Sequence, residues 1–427
     1  MPIEVRGMAG WLPQNFSPLA AARSAAVLSD GNVSGQQTGV WGLNESPGQS
    51  AADVALPDDL SRNVYCILGL PIDAVEMPEV LRRIDAAAAN KTPLLISTVN
   101  VNFLATSAAN AEFRQSLLLS DLCLVDGMPI VWIASLMGVP IKHRIAGSDM
   151  FDALEAPPGT RRPLRVFLFG GAEGVAAAAA KTLNDWPGGL HCVGSMYPGY
   201  GSVDDLSGDS IIDAINASDA DLLVVALGAA KGQMWLLRNH RRLRPAVRTH
   251  LGAAINFAAG TIKRAPPILR KLGLEWLWRI KEEPHLWKRY GHDAATLLRL
   301  LVTRILPLVM SARWQRLGLG GKPPELHIDL IEDEVAVSLC LSGDATARYV
   351  GQAISCLNGA LKTQKQLVVD LSATRLIDAR FFGLLLMLSK HRILRNAGLK
   401  FIGVSPRLAR LFRLHCVDFL LAGGCDG

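Results

Sequence analysis

The chain has 427 residues, half of them hydrophobic, which suffices for about three domains and excludes a mainly disordered protein. Its formal net charge is +6, but the excess is local, because residues 261–316 carry twelve Lys or Arg against four Asp or Glu. Such a basic block favours an anionic partner: phosphate, anionic lipid or nucleic acid. The seven cysteines are scattered without a CxxC pair, which indicates reduced thiols and argues against a zinc site.

The beginning of the chain carries no folding signal. Residues 1–61 are rich in Ala, Ser, Gly, Asn and Gln without sustained periodicity, so we predict a disordered leader. The chain has no signal-sequence pattern, and no uninterrupted apolar run reaches the ~18–20 residues that span a bilayer. The folded part is predicted to start with one strand, Val64–Leu70, and a helix, Pro78–Ala89.

The stretch Leu94–Asp149 reads as two strand–turn–helix units. Leu94–Thr98 and Leu122–Val125 are apolar runs, and each is followed by a polar turn and a helical pattern, Asn102–Gln115 and Ile130–Met137. Two such units with crossover helices imply a parallel sheet. In open parallel sheets, ligands bind at the carboxyl ends of the strands.

Four polar residues fall at such strand ends: Thr98, Asn100, Asn102 and Asp126. Asp126 follows an apolar strand, so burial should raise the pKa of its carboxyl group toward the range of a general base. The alternative is that Asp-Gly is only a turn and that Asp126 caps the next helix.

Further strands follow. Arg165–Gly174 is predicted as a strand that ends in glycines before the helix Val175–Leu183, a turn that could bind phosphate or simply allow a tight connection. Asp221–Gly228 is predicted as a strand and Ala229–Gln233 as the loop after it.

One D-x-D sequence, Asp219 and Asp221, has the spacing of the carboxylate pairs that hold a divalent metal ion in some enzymes. Here Asp221 opens an apolar strand and therefore lies at the amino end of the sheet, away from a parallel-sheet site. We expect it to be structural, and we expect no metal site and no cofactor.

The basic block interleaves aromatic and cationic side chains over Lys263–Tyr290. This pattern suits nucleic acid and equally a membrane surface, where Trp and Tyr lie at headgroup level. The helical pattern Leu297–Met310 has a wide apolar face beside Arg299 and Arg304, which favours a helix lying in the membrane interface. The alternative is an ordinary packing helix.

Several motifs together resemble the WecG/TagA/CpsF family of bacterial glycosyltransferases, over roughly residues 60–310. They are T-x-N at 98–100, the A-x-x-x-x-F/L-R helix, D-G at 126–127, R-x-x-G-x-D at 144–149, GYGS at 199–202, ALG at 226–228, RAP at 264–266 and GLEWLWRIKEEPHLWKRY at 273–290. The resemblance implies an α/β fold: a Rossmann-like parallel-sheet core at 62–260 and a helical membrane-binding appendage at 261–316. It also implies inverting, metal-independent transfer of a sugar from a nucleotide donor, expected to be UDP-linked, to a lipid-diphosphate-linked saccharide at the cytoplasmic membrane face in envelope or exopolysaccharide synthesis.

The resemblance also assigns site residues. Asp126 would be the base, and Thr98 and Asn100 would position the base or the sugar. The substrate-binding residues would be Asn102, Arg144, Asp149, Gly170, Gly171, Lys231, Gln233, Arg264, Arg279 and Arg289. Lys231 and the glycine turn would hold the nucleotide diphosphate, and Arg264, Arg279 and Arg289 would meet the lipid diphosphate.

Three positions depart from the family pattern. Gly232 and Gln233 stand where the family has Gln-Glu, and Asn256 stands where it tends to have Asp. A second hypothesis is therefore a catalytically weak regulator. Nucleic-acid binding is a third and weaker one, so we expect no nucleic-acid partner.

After a predicted linker at 317–324, residues 325–427 resemble a STAS domain, a small α/β fold, through QLVVDLSATRLIDARFFGLLLML and the helix Arg380–Arg395. STAS domains often carry a phosphorylatable Asp-Ser where this chain has Asp378-Ala379, so a phospho-switch cannot operate there. We predict that the exposed start of this helix and the preceding loop dock a protein partner. The alternative is a domain that only stabilises the transferase or makes it a homo-oligomer.

Overall fold

The structure, a computed structural model, describes residues 59–157, 159, 161–271, 273–317 and 324–422. The predicted leader up to residue 58 and most of the predicted linker therefore lie outside the described residues. The last part of the leader does not fit its prediction. Asp59–Ser61 form a short 3-10 helix with Asp59 and Leu60 buried, so the folded chain begins before residue 62.

Residues 64–317 contain eight strands and thirteen helices within the described ranges. The strands are β1 (Val64–Ile67), β2 (Leu70–Asp73), β3 (Leu94–Val99), β4 (Leu122–Val125), β5 (Leu164–Gly170), β6 (Leu190–Met196), β7 (Leu222–Ala226) and β8 (Val247–His250). The helices are α1 (Met77–Asn90), α2 (Val101–Ala109), α3 (Ala111–Leu118), α4 (Met128–Leu136), α5 (Gly147–Glu155), α6 (Val175–Asp185), α7 (Asp209–Ala217), α8 (Ala229–Asn239), α9 (Gly252–Ala258), α10 (Pro267–Lys271), α11 (Glu275–Glu282), α12 (Trp287–Leu300) and α13 (Leu306–Leu317).

A six-stranded parallel sheet forms the centre, in the order β4-β3-β8-β7-β5-β6, which confirms the predicted fold class. Its strands are nearly continuous apolar runs because helices cover both faces. In β7, Leu222 and Val224 face one core with α1, α5, α6 and α9, whereas Leu223 and Val225 face the other with α7 and α8.

Three local predictions were wrong. The single helix predicted at Asn102–Gln115 is instead the two helices α2 and α3, because Asn110 between them has extended backbone. The stretch predicted as a single strand, Val64–Leu70, is instead the first part of the antiparallel hairpin β1–β2, since Leu68 and Gly69 turn the chain at positive φ. Only glycine fits the second position, because a Cβ on Gly69 would lie 2.5 Å from the carbonyl oxygen of Cys416. The loop predicted at Ala229–Gln233 is the first turn of α8, whose Ala and Lys residues favour helix.

The basic segment ends in one long helix. A π-helical segment, Leu301–Ile305, joins α12 to α13, so the helix continues without interruption. Within the described residues, one helix, Pro284–Ser311, is long and apolar enough to cross a membrane by length and composition. Its inner face packs onto the protein, with Leu300 and Ile305 in one hydrophobic core and Leu308 in another.

The C-terminal part is a separate four-stranded mixed sheet with helices. Its elements are β9 (His327–Glu332), β10 (Ala336–Ala345), α14 (Val350–Ala360), β11 (Gln366–Ile377), α15 (Ala379–Leu394), β12 (Leu399–Ile402), α16 (Pro406–Leu414) and α17 (Phe419–Ala422). The strand order is β12-β11-β10-β9, with β9 antiparallel to β10 and the other pairs parallel. Asp378 caps α15, its carboxylate accepting from the Phe381 N–H at 2.8 Å.

Helix α15 packs against the β1–β2 hairpin, so its start is not an exposed docking surface as predicted. Ala379 lies against the hydrophobic core of the hairpin, and the Arg380 guanidinium donates to the carbonyl oxygens of Arg62 and Val64, both at 3.1 Å. The backbones are so close that a Cβ on Gly383 would lie 2.1 Å from the Val64 carbonyl oxygen. The helix start is therefore covered by this chain's own N-terminal hairpin, whereas Ser372, Ala373 and Arg375 in the preceding segment stay exposed.

Candidate active site

The polar strand ends meet at one edge of the sheet, because all six strands are parallel. Thr98 lies at the end of β3, Asp126 follows β4, Gly170 ends β5 and His250 ends β8. The Asp126 N–H donates to the Val99 carbonyl oxygen at 2.8 Å, which fixes Asp126 beside the end of β3. This edge is the candidate active site.

Asp126 is half-buried and does not cap a helix. The N-cap of α4 is Gly127, and no side chain makes a capping hydrogen bond there, which removes the capping alternative. Burial raises the pKa of the Asp126 carboxyl group to about 7, the Arg144 charge opposes this rise, and Glu275 adds to it. The predicted elevation of this pKa is therefore present.

A cluster of arginines and acids surrounds this carboxylate. Arg144 lies 2.9 Å from Glu275 and 3.6 Å from Asp149. Asp149 also pairs with Arg264, and Arg270 lies 3.7 Å from it. The buried Nε atoms of Arg264 and Arg270 have no hydrogen-bond partner within the described residues, so the two guanidinium groups retain unused donors next to the site.

The residues predicted to position the base or the sugar make contacts with the backbone and with neighbouring helices. The Asn100 side chain accepts from the Phe103 N–H at 3.1 Å and caps α2. Thr98 lies against Gly147, where an added Cβ would be 3.3 Å from the Thr98 Oγ1. The Asn102 Nδ2 donates to Asp293 on α12 at 3.3 Å, which ties the appendage to the site.

At the other strands, the structure separates the two nucleotide-binding candidates of α8. Lys231 donates to the Gly201 carbonyl oxygen at 2.7 Å, within the GYGS segment, on the side of the strand ends. Gln233 points away, is fully buried, and hydrogen-bonds the Ser116 carbonyl oxygen and the Ser120 hydroxyl. Gln233 is therefore packed in the interior, away from the residues gathered at the sheet edge.

Both close packing and a positive backbone φ angle require glycine in the turn after β5. Gly170 and Gly171 both have positive φ, and a Cβ on Gly170 would lie 2.5 Å from the Ala226 carbonyl oxygen of β7. The φ of Gly174 is also positive, and α6 starts at the next residue. The tight-turn explanation holds, and the turn also leaves the α6 N-terminus at the ligand-binding edge.

Arg279 and Arg289 are not part of the cluster around Asp126. Arg279 pairs with Glu283 at 2.7 Å on the same helix. Arg289 is exposed, with its guanidinium 5.0 Å from the Tyr290 ring centroid. Both lie on the basic appendage.

The acids of the D-x-D sequence are engaged by basic side chains. Asp221 is buried and pairs with Arg162 at 3.0 Å and with Lys91 at 3.2 Å, and Asp219 pairs with Arg165 at 2.7 Å. Among the residues that the structure describes, no group of three or more His, Cys, Asp or Glu is placed to hold a metal ion.

Three residues of the site were not predicted from sequence. Glu275 and Asp293 had been counted only as acids opposing the basic block, and Arg270 only as part of its charge. Asp293 accepts a hydrogen bond from Asn102, and burial raises the pKa of the Asp293 carboxyl group. Glu275 lies within the 273–290 motif and Asp293 on the helix after it, so their position in the chain was the available signal. The contact between Asp293 and Asn102, which are 191 residues apart in the chain, has no local sequence pattern.

A groove of about 460 Å³ opens on one side of Arg144. It lies between the start of α1 and the segment 140–145, which the Ile145 N–H holds to the Val125 carbonyl oxygen at 2.7 Å. Arg144 therefore borders both this groove and the Asp126 carboxylate.

Comparison with known proteins gives two family matches and a number of similar relatives. A profile described as the glycosyl transferase WecG/TagA/CpsF family matches residues 65–308, and one described as Mlab, STAS domain matches residues 328–422. An N-acetylglucosaminyldiphosphoundecaprenol N-acetyl-beta-D-mannosaminyltransferase from Bacillus spizizenii is 32% identical over 198 residues, which cover 45% of this chain and 73% of the relative. Both resemblances seen in the sequence are confirmed.

Proposed function

Because the chain belongs to the WecG/TagA/CpsF family of glycosyltransferases, we propose that it moves a sugar from a UDP donor to N-acetylglucosamine linked to undecaprenyl diphosphate. The acceptor follows from the printed name of the relative, and N-acetylmannosamine is the first donor sugar to test. The reaction would serve envelope or exopolysaccharide synthesis at the cytoplasmic face of the membrane.

The raised pKa of Asp126 is the observation that carries this proposal. The relative forms a β-linked product, and a β product from an α-linked nucleotide sugar requires inversion by a single displacement. Such a displacement needs one base to take the proton of the acceptor hydroxyl, and a base works best with a pKa near the working pH. Asp126, with a pKa raised to about 7, meets that requirement.

The departing diphosphate needs positive charge, which the chain can supply from side chains and a helix end. Lys231 and the turn Gly170–Gly171 lie at the strand ends where a nucleotide diphosphate would bind. The buried unpartnered Nε atoms of Arg264 and Arg270 are donors available to phosphate oxygens within the cluster around Asp149. The proposed mechanism therefore routes no step through a metal ion.

Arg279 and Arg289 are proposed to meet the acceptor diphosphate as it arrives from the membrane. They lie on α11 and α12, next to exposed Trp276 and Trp287. Indole rings of this kind lie at the headgroup level of bilayers. The long helix that includes α12 packs its inner face on the protein, so we propose that it lies on the bilayer and does not cross it.

One departure from the family pattern, Gly232, does not by itself favour the regulator hypothesis. Gly232 is required by its neighbour, since a Cβ there would lie 2.0 Å from the His250 Cδ2. The missing side chain at position 232 thus leaves room for the imidazole at the end of β8. Asn256 lies on α9, and its backbone carbonyl oxygen, which Asp would also provide, accepts from the Thr261 hydroxyl at 3.0 Å.

The direct test is transfer from a panel of radiolabelled nucleotide sugars to a short-chain N-acetylglucosaminyl diphospholipid. We expect lipid-extractable label from UDP-N-acetylmannosamine and a β linkage in the product by NMR. An α linkage would contradict the inverting mechanism. No transfer from any donor in the panel would favour the regulator.

A further inference from the structure

We propose that the STAS domain supplies part of the membrane-binding surface, through an arginine groove for the phosphate groups of anionic lipids between α16 and the long appendage helix. This inference rests on the proposed function only in that the appendage lies on a membrane. The groove measures about 310 Å³ and is open to solvent. It is lined by Thr303, Arg304 and Pro307 from the appendage and by Arg410, Arg413 and Leu414 from α16.

The charge of the groove has one sign. Within the described ranges, no carboxylate oxygen lies within 4.0 Å of the guanidinium groups of Arg304, Arg410 or Arg413, whereas Arg144, Arg264 and Arg279 of the transferase are each paired with acids. Asp418 is the acid that lies toward this side, near Arg114. Unpaired guanidinium groups gathered from two domains form a site for an anion.

The sequence of α16 explains how its face becomes uniformly basic. Leu408, Leu411, Phe412 and Leu414 point into the hydrophobic core of the STAS domain. Arg407, Arg410 and Arg413 recur every third residue and are all exposed, and the segment 406–415 contains no acid. A helix that only needed a solvated outer face would be served by charges of either sign.

The two helices are held in a fixed relation at the groove. The Arg304 Nη1 donates to the Arg413 carbonyl oxygen at 2.7 Å, and Leu308 is buried in the core of the STAS domain. The arginines of α16 therefore keep a constant position relative to the appendage helix.

An apolar stripe runs along the same appendage helix. Leu298, Val302, Leu306 and Met310 are 62%, 54%, 43% and 57% exposed and are spaced four residues apart. Four large apolar side chains in solvent on one helix mark a surface that binds something apolar. Apolar side chains that enter the acyl boundary, with basic groups beside them at headgroup level, are the arrangement of an interfacial helix, and nucleic acid would leave the stripe uncovered.

The test is co-sedimentation of the full chain with phosphatidylcholine vesicles, with and without phosphatidylglycerol. Each basic residue near an anionic surface contributes about fivefold to partitioning, so the double variant Arg410→Gln, Arg413→Gln should bind phosphatidylglycerol vesicles roughly twenty-five-fold more weakly. Its binding to pure phosphatidylcholine should be unchanged. The matched control is Arg241→Gln, Arg244→Gln, two exposed arginines of the transferase domain, which should bind as the wild type does.

Other results separate the proposals. If the double variant binds phosphatidylglycerol vesicles with wild-type affinity, the proposal of a lipid-binding groove is overturned. An equal loss of binding to both vesicle types, or an equal loss of binding in the control variant, overturns it too. The double variant Val302→Asp, Leu306→Asp should bind both vesicle types more weakly. If it does not, the proposal that the appendage helix lies on the membrane is wrong. Transfer to a short-chain, water-soluble acceptor should be normal in the arginine double variant, so a failure of the proposed reaction remains distinguishable from a failure of the groove. Oligonucleotide binding that depends on Arg410 and Arg413 would replace lipid with nucleic acid and overturn the proposal.

Discussion

The Lys390 ammonium group of the STAS domain lies 2.9 Å from the carboxylate of Asp121, the residue that precedes the strand leading to Asp126. The same ammonium group lies 2.9 Å from Asp59, and its side chain is only 1% exposed. Asp121 also accepts from the Leu95 N–H at 2.8 Å, at the amino end of the central sheet. The second domain thus holds the amino end of the strand whose carboxyl end carries the proposed base.

Replacing Lys390 by Met should reduce the free energy of unfolding by about 3–5 kcal/mol, because it leaves the Asp121 carboxylate without its cation, while Asp59 keeps its pair with Arg62. Denaturant melts of the full chain measure this. The control is Lys365→Met, whose partly exposed pair with Glu332 should contribute no more than about 1 kcal/mol. Equal stabilities of the two variants would show that the buried pairs do not hold the domains together.

The pH dependence of the reaction should report the Asp126 carboxyl group. Only the ionised form acts as a base, and burial raises its pKa to about 7, so kcat/KM should rise with pH and level off above neutrality. Glu275 raises this pKa, hence Glu275→Gln should move the midpoint of the profile to lower pH. A wild-type profile that is flat across neutrality would remove Asp126 from the role of base.

Gly232 offers a test of the altered first turn of α8. In Gly232→Ala the new Cβ would lie 2.0 Å from the His250 ring, and such overpacking should cost about 1–3 kcal/mol. In a His250→Ala background the sign should reverse, because Ala is better than Gly in a helix by up to ~1 kcal/mol. Gly351→Ala on α14, where the added Cβ has open space, is the control and should stabilise the wild type. The same cost in both backgrounds would show that His250 is not the cause.

Chelation should leave the transfer rate unchanged. The acids of the D-x-D sequence are occupied by Arg162, Lys91 and Arg165, and arginines are available for the diphosphate. The measurement is the initial rate with EDTA and after addition of Mg²⁺ or Mn²⁺. Activity that disappears with EDTA and returns with either metal would contradict this mechanism.

Sequence patterns predicted the parallel sheet because its strands are buried on both faces and read as apolar runs, as Leu122–Val125 and Asp221–Gly228 do. They also predicted the elevated pKa of Asp126, since a carboxyl group directly after a buried strand is desolvated whatever surrounds it. The hairpin was missed because Leu68 at positive φ is not signalled by its residue type.

The contacts between distant segments could not be predicted in the same way. The pairs Asn102–Asp293 and Lys390–Asp121 join segments far apart in the chain, and no periodicity records them. The position of α15 against β1 was missed for the same reason. Its start was predicted to be exposed, but Arg380 lies in a buried position there, where the backbone carbonyl groups of Arg62 and Val64 satisfy its guanidinium group.

The most direct test of the account is the transfer rate of Asp126→Asn at about pH 8, above the pKa of the wild-type carboxyl group. The substitution keeps the volume and deletes the base, so the rate should fall by about 10²–10⁴-fold. Because a raised carboxyl pKa costs the folded state stability as pH rises through it, the variant should unfold at the same or a higher temperature than the wild type at this pH. A variant that keeps the wild-type rate would show that Asp126 is not the base and that the proposed mechanism is wrong.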